Sequence, residues 1–282
     1  QEFAAFPSVL GMLTDLETLR FVGSKSGSVL PTEVGMLSKL QVLDLSFNSF
    51  EGSSIPSEIG NLSKLAYLDL SYCTLIGDLP SNVLELPNLM VLKFKVNRPE
   101  KLPSGIFNNK SKIEHLDMST NSLSDIGFYE DFSNGTVVWK SELANLEKIG
   151  LLSALTYLDL SNNNFTDLEI PAEIGNLTNL QHLDFYDAKV ADTIPKEIVL
   201  PTKLSYLDLI SNKLIGAVPS ELSGPTSLEK LMLDSNYLSG TIDCSLYPVL
   251  QISADCLDKV NCTGGCCFID FYIEGSVATV YC

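Results

Sequence analysis

One apolar pattern returns along this chain at a nearly fixed spacing, and no other feature constrains its folding as much. The segments LQVLDLSFNSF from Leu40, LAYLDLSYCTL from Leu65, LTYLDLSNNNF from Leu155 and LSYLDLISNKL from Leu204 are near copies of one another. Aligned on a shared position, the units start at Leu13, Leu37, Leu62, Leu86, Lys110, Leu152, Leu177, Pro201 and Pro225, in steps of 24, 25, 24, 24, 42, 25, 24 and 24. A unit this short cannot bury its own apolar edge, so the copies must stack, each covering the next. The long step marks an insertion, placed at about residues 123–150.

Within a unit, alternation of apolar and other residues reads as a short strand with one buried side. The inward pairs are Leu43 and Leu45, Leu68 and Leu70, Leu158 and Leu160, Leu207 and Leu209, with Phe21, Phe94, Met118 and Phe185 as substitutes. Three residues beyond the second apolar position stands Asn48, Asn97, Asn121, Asn163, Asn212 or Asn236. A side-chain amide both donates and accepts, so it can satisfy backbone groups where the chain leaves the strand and can reach the neighbouring turn. Ser24 and Cys73 occupy this position as weak donors, whereas Ala188 offers nothing, which predicts a seventh turn that is locally irregular or hydrated. Further on, an apolar residue precedes proline in SIP at Ser54, DLP at Asp78, EIP at Glu169, TIP at Thr193 and AVP at Ala217. A residue before proline is pushed toward extended geometry, so a second short strand is expected on the far side, with SEIGNL or AEIGNL closing the coil.

The composite LxxLxxLDLSxNxLxGxIPxEIGNL resembles the plant-type extracellular leucine-rich repeat of receptor-kinase ectodomains and secreted polygalacturonase inhibitors, over roughly Phe6 to Ile242. The resemblance implies an α/β solenoid, a leucine-rich-repeat horseshoe of about nine turns with a parallel concave β-sheet and a disulfide-rich C-terminal cap. Residues 1–243 form the solenoid and 244–282 the cap. The stretch VLQISADCLDKVNCTGGCC, Val249 to Cys267, resembles the cysteine-rich ending of secreted leucine-rich-repeat proteins of diatoms and related algae.

Charge narrows the partners. The 282 residues carry 18 Lys plus Arg against 35 Asp plus Glu, a formal charge of −17. That balance opposes nucleic acid and anionic membranes, and leaves basic proteins, cations and neutral glycans. No run reaches the roughly 20 apolar residues of a spanning helix. Gln1 reads as the start of a mature sequence after removal of a leader.

Six of seven cysteines, Cys244, Cys256, Cys262, Cys266, Cys267 and Cys282, fall near the end and read as about three disulfides; a zinc site is the rival, with no histidine close by. Cys73 reads as a buried free thiol. The tail FIDFYIEGSVATVYC alternates around Glu274-Gly275 as a hairpin does, serving either as a cap or as an edge for assembly. N-x-S/T sequons at Asn61, Asn109, Asn134, Asn164, Asn176 and Asn261 are expected glycosylation sites in a secreted chain. The insertion has helical spacing in SELANLEKIG and carries the only tryptophan, Trp139, as a binding lip or a loop anchor.

Outward positions of stacked strands form columns, with successive strands about 4.8 Å apart. One column reads Arg20, Asp44, Asp69, Lys93, Asp117, Asp159, Asp184, Asp208, Met232, and its neighbour Thr18, Val42, Tyr67, Val91, His115, Tyr157, His182, Tyr206, Lys230. Each aspartate reads either as a solvated group bonded to the nearby serine or strand, or as part of a recognition face. The second reading puts Tyr157, Asp159, His182, Asp184, Tyr206 and Asp208, with Trp139, in contact with a basic peptide or protein. Lys93, Lys95, Arg98 and Lys101 make the fourth turn basic. The Asp–His pairs lack an activated nucleophile, and no HExxH, GxSxG, phosphate loop or metal-spaced Cys/His set occurs, so neither catalysis nor a cofactor is expected. Three functions remain: a secreted or cell-surface protein-binding module, a structural component of a matrix, wall or surface filament, and an inhibitor of a wall-degrading enzyme.

Overall fold

A computed structural model describes residues 8–23, 29–50, 52–99, 111–121, 123, 142–166, 168–223, 227–243, 251–254, 260–263, 268–273 and 276–281. The chain divides into two compact units, Gln1–Leu155 and Thr156–Cys282.

In the first unit the predicted strands are three residues each: β1 (Thr18–Arg20), β2 (Val42–Asp44), β3 (Tyr67–Asp69), β4 (Val91–Lys93) and β5 (His115–Asp117). They pair in parallel in chain order, with Leu19, Leu43, Leu68, Leu92 and Leu116 in one register. Leu43, Leu68 and Leu92 are fully buried, as are Leu45, Leu70 and Phe94 at the second apolar position. Burying a leucine side chain contributes about 1.5–3 kcal/mol, so repetition of the pattern stabilises the stack as a whole.

In the second unit β6 (Tyr157–Asp159), β7 (His182–Asp184), β9 (Tyr206–Asp208), β11 (Lys230–Met232) and β13 (Gln251–Ser253) pair in parallel in that order. A second parallel ladder joins β8 (Ala191–Thr193), β10 (Lys213–Ala217), β12 (Tyr237–Asp243) and β14 (Val260–Thr263). The far-side strand expected before each proline is therefore present here, whereas the first unit shows only the bridge Ile76–Arg98 among its described residues. Strand β13 extends the pattern one turn past the nine counted in the sequence. Ile252 and Ala254, both buried, take the inward positions there.

Six described coils close through a 3-10 turn, not an α-helix: Thr32–Met36, Ser57–Asn61, Ser81–Val83, Ala172–Asn176, Lys196–Val199 and Ser220–Ser223. Extended prolines such as Pro31, Pro56 and Pro171 precede them, because a fixed φ and an absent N–H suit the start of a turn. These turns stack so closely that a Cβ on Gly35 would lie 2.4 Å from the carbonyl oxygen of Glu58. The helical spacing of the insertion's end appears as a 3-10 helix over Glu142–Leu151. The expected C-terminal hairpin is also present, β15 (Phe268–Ile273) antiparallel to β16 (Ser276–Tyr281).

The asparagine ladder forms as the sequence predicts. Nδ2 of Asn97 donates to the carbonyls of Leu70 in the preceding turn (2.7 Å) and Phe94 in its own (3.3 Å). Its Oδ1 accepts from the N–H groups of Cys73 and Leu75. Where asparagine is missing, the backbone takes over. The carbonyl of Cys73 accepts from the Phe50 N–H and that of Ala188 from the Phe165 N–H, each across one turn. That arrangement requires left-handed residues at Thr74 (φ 52°) and Lys189 (φ 63°), a conformation that no other described residue directly following a ladder position adopts. The irregularity expected at the seventh turn is thus a defined backbone repair, and the third turn shares it.

Candidate ligand-recognition face

The register of β6, β7 and β9 aligns Tyr157, His182 and Tyr206, and beside them Asp159, Asp184 and Asp208. The three rings form a continuous stack, with centroids 4.2 Å apart and planes within 9° at both steps. Stacking closes the inner faces and turns ring edges outward. Lys230 Nζ lies 5.9 Å from the centroid of Tyr206.

The carboxylates have a structural task first. Asp159 Oδ1 accepts from the Ser161 N–H, Asp184 Oδ1 from the Tyr186 N–H and Asp208 Oδ1 from the Ile210 N–H, at 2.8–2.9 Å. Asp44, Asp69 and Asp117 repeat this bond to the residue two ahead, with Ser46 and Ser119 hydroxyls adding a second donor. Each aspartate thereby holds the chain as it leaves the strand toward a left-handed residue, the usual capacity of a short acceptor side chain. The local hydrogen bonds match the expectation for these residues, but their solvation does not. Asp44, Asp69, Asp159 and Asp208 are only 5–9 % exposed, because the adjoining rings and turns cover them. Asp184 is half-buried and is the accessible member of its trio.

Burial acts on the titrations. It pushes Asp208 above the ordinary carboxylate range, against the Ile210 N–H and the Tyr206 hydroxyl that stabilise the anion. The Tyr206 hydroxyl donates to Asp208 Oδ2 at 3.1 Å and is itself raised, by burial first and then by the charge of Asp208. In the first unit Tyr67 repeats the bond, to Asp69 Oδ2 at 3.2 Å, and burial followed by the Asp69 charge pushes it up to about 12. Cys73 is a buried free thiol, as expected; its Sγ donates to the Leu45 carbonyl at 3.0 Å, and burial pushes it up to about 12. Among the described residues no group of three or more His, Cys, Asp and Glu is placed to hold a metal ion, and no helix is long and apolar enough to cross a membrane.

Other sequence-stated positions divide as follows. Asn61, Asn164 and Asn176 are exposed, and Asn261 and Cys262 lie on β14. Trp139, Asn109, Asn134, Lys101, Cys244, Cys256, Cys266, Cys267 and Cys282 lie outside the described residues. Sequence reasoning passed over three exposed aromatics just beyond the strands: Phe47 and Tyr72, stacked at 4.4 Å with planes 8° apart, and Tyr186. Their signal was available as a large ring one or two positions before the ladder residue.

With this geometry in place, comparison with known proteins gives the class. The family model described as "Leucine-rich repeat region" matches residues 136–242, and the one described as "Leucine Rich Repeat" matches 39–62 and 64–86. "Receptor-like protein 39" of Arabidopsis thaliana is 35% identical over 157 residues, which are 56% of this chain and 13% of that protein. Among solved structures, "Plant peptide hormone receptor RGFR1 in complex with RGF2" superposes with a TM-score of 0.74 at 28% identity, covering 92% of this chain and 38% of the other. The structure titled "PEPR1-AtPEP1" gives 0.75 at 25%, covering 92% and 37%. The chain carries leucine-rich repeats and is similar to plant receptor-like proteins. It spans about an eighth of the length of the curated relatives it matches, 13% in each case. The Arabidopsis relative is a receptor-like protein, and the first of these structures is a plant peptide hormone receptor.

Proposed function

We propose that this chain is an extracellular recognition module that binds a basic peptide or protein segment on the face formed by Tyr157, His182, Tyr206, Asp159, Asp184 and Asp208. The carrying observation is the three-ring stack at 4.2 Å spacing beside the aspartate column. The rings form a rigid apolar rail that loses little side-chain entropy on binding. Asp184, the half-buried carboxylate between two buried ones, is the point where a lysine or arginine side chain meets charge. Charge-assisted hydrogen bonds of this kind contribute about 1.5–3 kcal/mol each. Support also comes from the matched plant peptide hormone receptor, which was solved in complex with RGF2. In this reading the chain is secreted or displayed at the cell surface, the exposed Asn61, Asn164 and Asn176 carry glycans, and the C-terminal cysteines are paired.

The test is a peptide-display selection against the purified chain, followed by titration of the enriched sequences. Basic sequences should emerge, and Asp184→Asn and Tyr206→Ala should each weaken them without unfolding the chain. Enrichment of acidic or uncharged sequences, or binding that survives both substitutions while changes at Trp139 or in the C-terminal hairpin abolish it, overturns the reading.

A further inference from the structure

The first unit carries a second surface of opposite character, on the edge of its strands. The residue before each ladder position is left-handed, and there the unit places Phe47 (φ 59°), Tyr72 (φ 58°) and Val96 (φ 54°). A left-handed backbone costs a residue with a Cβ about 1–2 kcal/mol, and bulky or branched side chains adopt it least readily. Strain of this kind persists where the surrounding fold enforces it and concentrates at binding sites. The strained residues are not packed into the core: Phe47 is 54% exposed and Tyr72 38%. Because the two rings face each other at 4.4 Å, the two faces between them are closed and their edges point outward.

The charge beside these edges selects the partner. Ring edges carry the positive end of the aromatic quadrupole, whereas a sugar stacks on a ring face. The next turn adds Lys93, whose Nζ lies 5.8 Å from the Tyr67 ring centroid, together with half-buried Lys95 and exposed Arg98. Beyond the rings, the Ser49 and Thr74 hydroxyls stand 3.4 Å apart as hydrogen-bonding groups. Within a chain of net charge −17, this edge joins exposed apolar rings to local positive charge.

We propose that Phe47, Tyr72, Lys95 and Arg98 form a docking surface for an acidic protein segment that presents apolar side chains between its carboxylates. The surface is distinct in residues and in sign from the face assigned to a basic ligand, so the two stand or fall separately.

The probe is a fluorescein-labelled (Glu-Phe)4 peptide, with (Lys-Phe)4 and cellohexaose as comparators, titrated by fluorescence anisotropy and calorimetry. Saturable binding of (Glu-Phe)4 is expected, weakened about tenfold or more by Phe47→Asn and by Tyr72→Asn, the size typical of a lost aromatic anchor. Asparagine adopts the left-handed conformation more readily, so both variants should melt no lower than the parent chain, which separates a binding role from a structural one. The paired change Lys95→Glu with Arg98→Glu should abolish binding. Absence of saturable binding, equal binding of (Lys-Phe)4, insensitivity to these substitutions, or a Phe47-dependent response to cellohexaose alone overturns the proposal.

Discussion

Ahead of each ladder position the chain passes through a left-handed residue, and the two units fill that position differently. The first unit has Gly23, Phe47, Tyr72, Val96 and Thr120 there, and the second has Asn162, Asp187, Ser211 and Ser235. The second set contains the small polar types that tolerate the conformation, while the first contains rings and β-branched side chains that oppose it. The far side differs in the complementary sense. Four parallel strands line it in the second unit, and one bridge, Ile76–Arg98, is what the described residues of the first provide. Spacing accounts for this. From ladder residue to proline the second unit counts eight (163 to 171) and then seven twice in succession, 188 to 195 and 212 to 219. The first counts eight (48 to 56), then seven (73 to 80), and then sets Pro99, which has no N–H to donate, directly after Arg98. Equal spacing keeps neighbouring strands in register, so the second unit gains backbone pairing while the first carries local strain at its exposed edge.

The largest expected effect asks whether the two units also unfold differently. Leu68→Ala and Leu183→Ala each remove a side chain with 0% exposure and should destabilise by roughly 2–5 kcal/mol. In a solenoid each turn contacts mainly its neighbours, so hydrogen exchange should quicken first within the unit that carries the substitution. Uniform quickening across both would show a single cooperative block and break the comparison.

Next come the ladder substitutions. Asn97→Ala removes two donated and two accepted bonds to buried backbone, at about 1 kcal/mol or more each where a partner is left unsatisfied, so a loss of roughly 2–4 kcal/mol is expected. Cys73→Ala should cost far less, about 1 kcal/mol, because the Phe50 N–H is already bonded to the backbone carbonyl of residue 73. Equal losses in urea melts would mean that the backbone repair carries no stability.

How far the sequence reached can be argued from these same residues. The strand positions were legible because leucine alternation is set by which side faces the core, and the ladder because an amide at a fixed offset has one use there. The repair at Cys73 and Ala188 was legible only as a gap, since a left-handed Thr74 or Lys189 leaves no composition signal. Strand β13 was hidden because Ala254 stands where a large apolar residue marks the other turns and because nearby cysteines drew the segment into a cap. At the candidate site the columns followed from register alone. The burial of Asp159 and Asp208, and the outward edges of Phe47 and Tyr72, depend on ring packing between turns, which no single unit encodes.

A smaller effect concerns pH. The folded chain holds the Cys73 and Tyr67 protons more tightly than the unfolded chain, whose groups titrate near 9 and 10 and whose folded values lie at about 12. The native state then binds more protons in that window, so their contribution is complete below pH 9 and is lost as pH rises toward 12. Asp208 has the same sign at the acid end: with its folded value raised, stability falls as pH rises through the carboxylate range. Thermal melts should show a shallower alkaline decline in Tyr67→Phe and in Cys73→Ala, and a flatter acid limb in Asp208→Asn. Unchanged limbs would mean that these groups are not buried in solution.

The smallest expected effects compare two ion pairs, one in each unit. Lys39 reaches Asp15 on the preceding turn at 2.6 Å, with side chains 51% and 87% exposed, and the contact raises the lysine and lowers the aspartate, first through their hydrogen bond and then through charge. Water and salt screen such a pair, so Asp15→Asn should leave the melting temperature where it is. Lys189 and Asp187 pair within one turn, less exposed, and both are left-handed beside the Ala188 break. Asp187→Asn keeps a side chain suited to that backbone and removes only the charge, so its loss should be measurable but below about 1 kcal/mol, and it should shrink in high salt. If Asp15→Asn proved the more damaging, contact between turns would outweigh the geometry of the break. The left-handed contrast between the units would then have no bearing on stability.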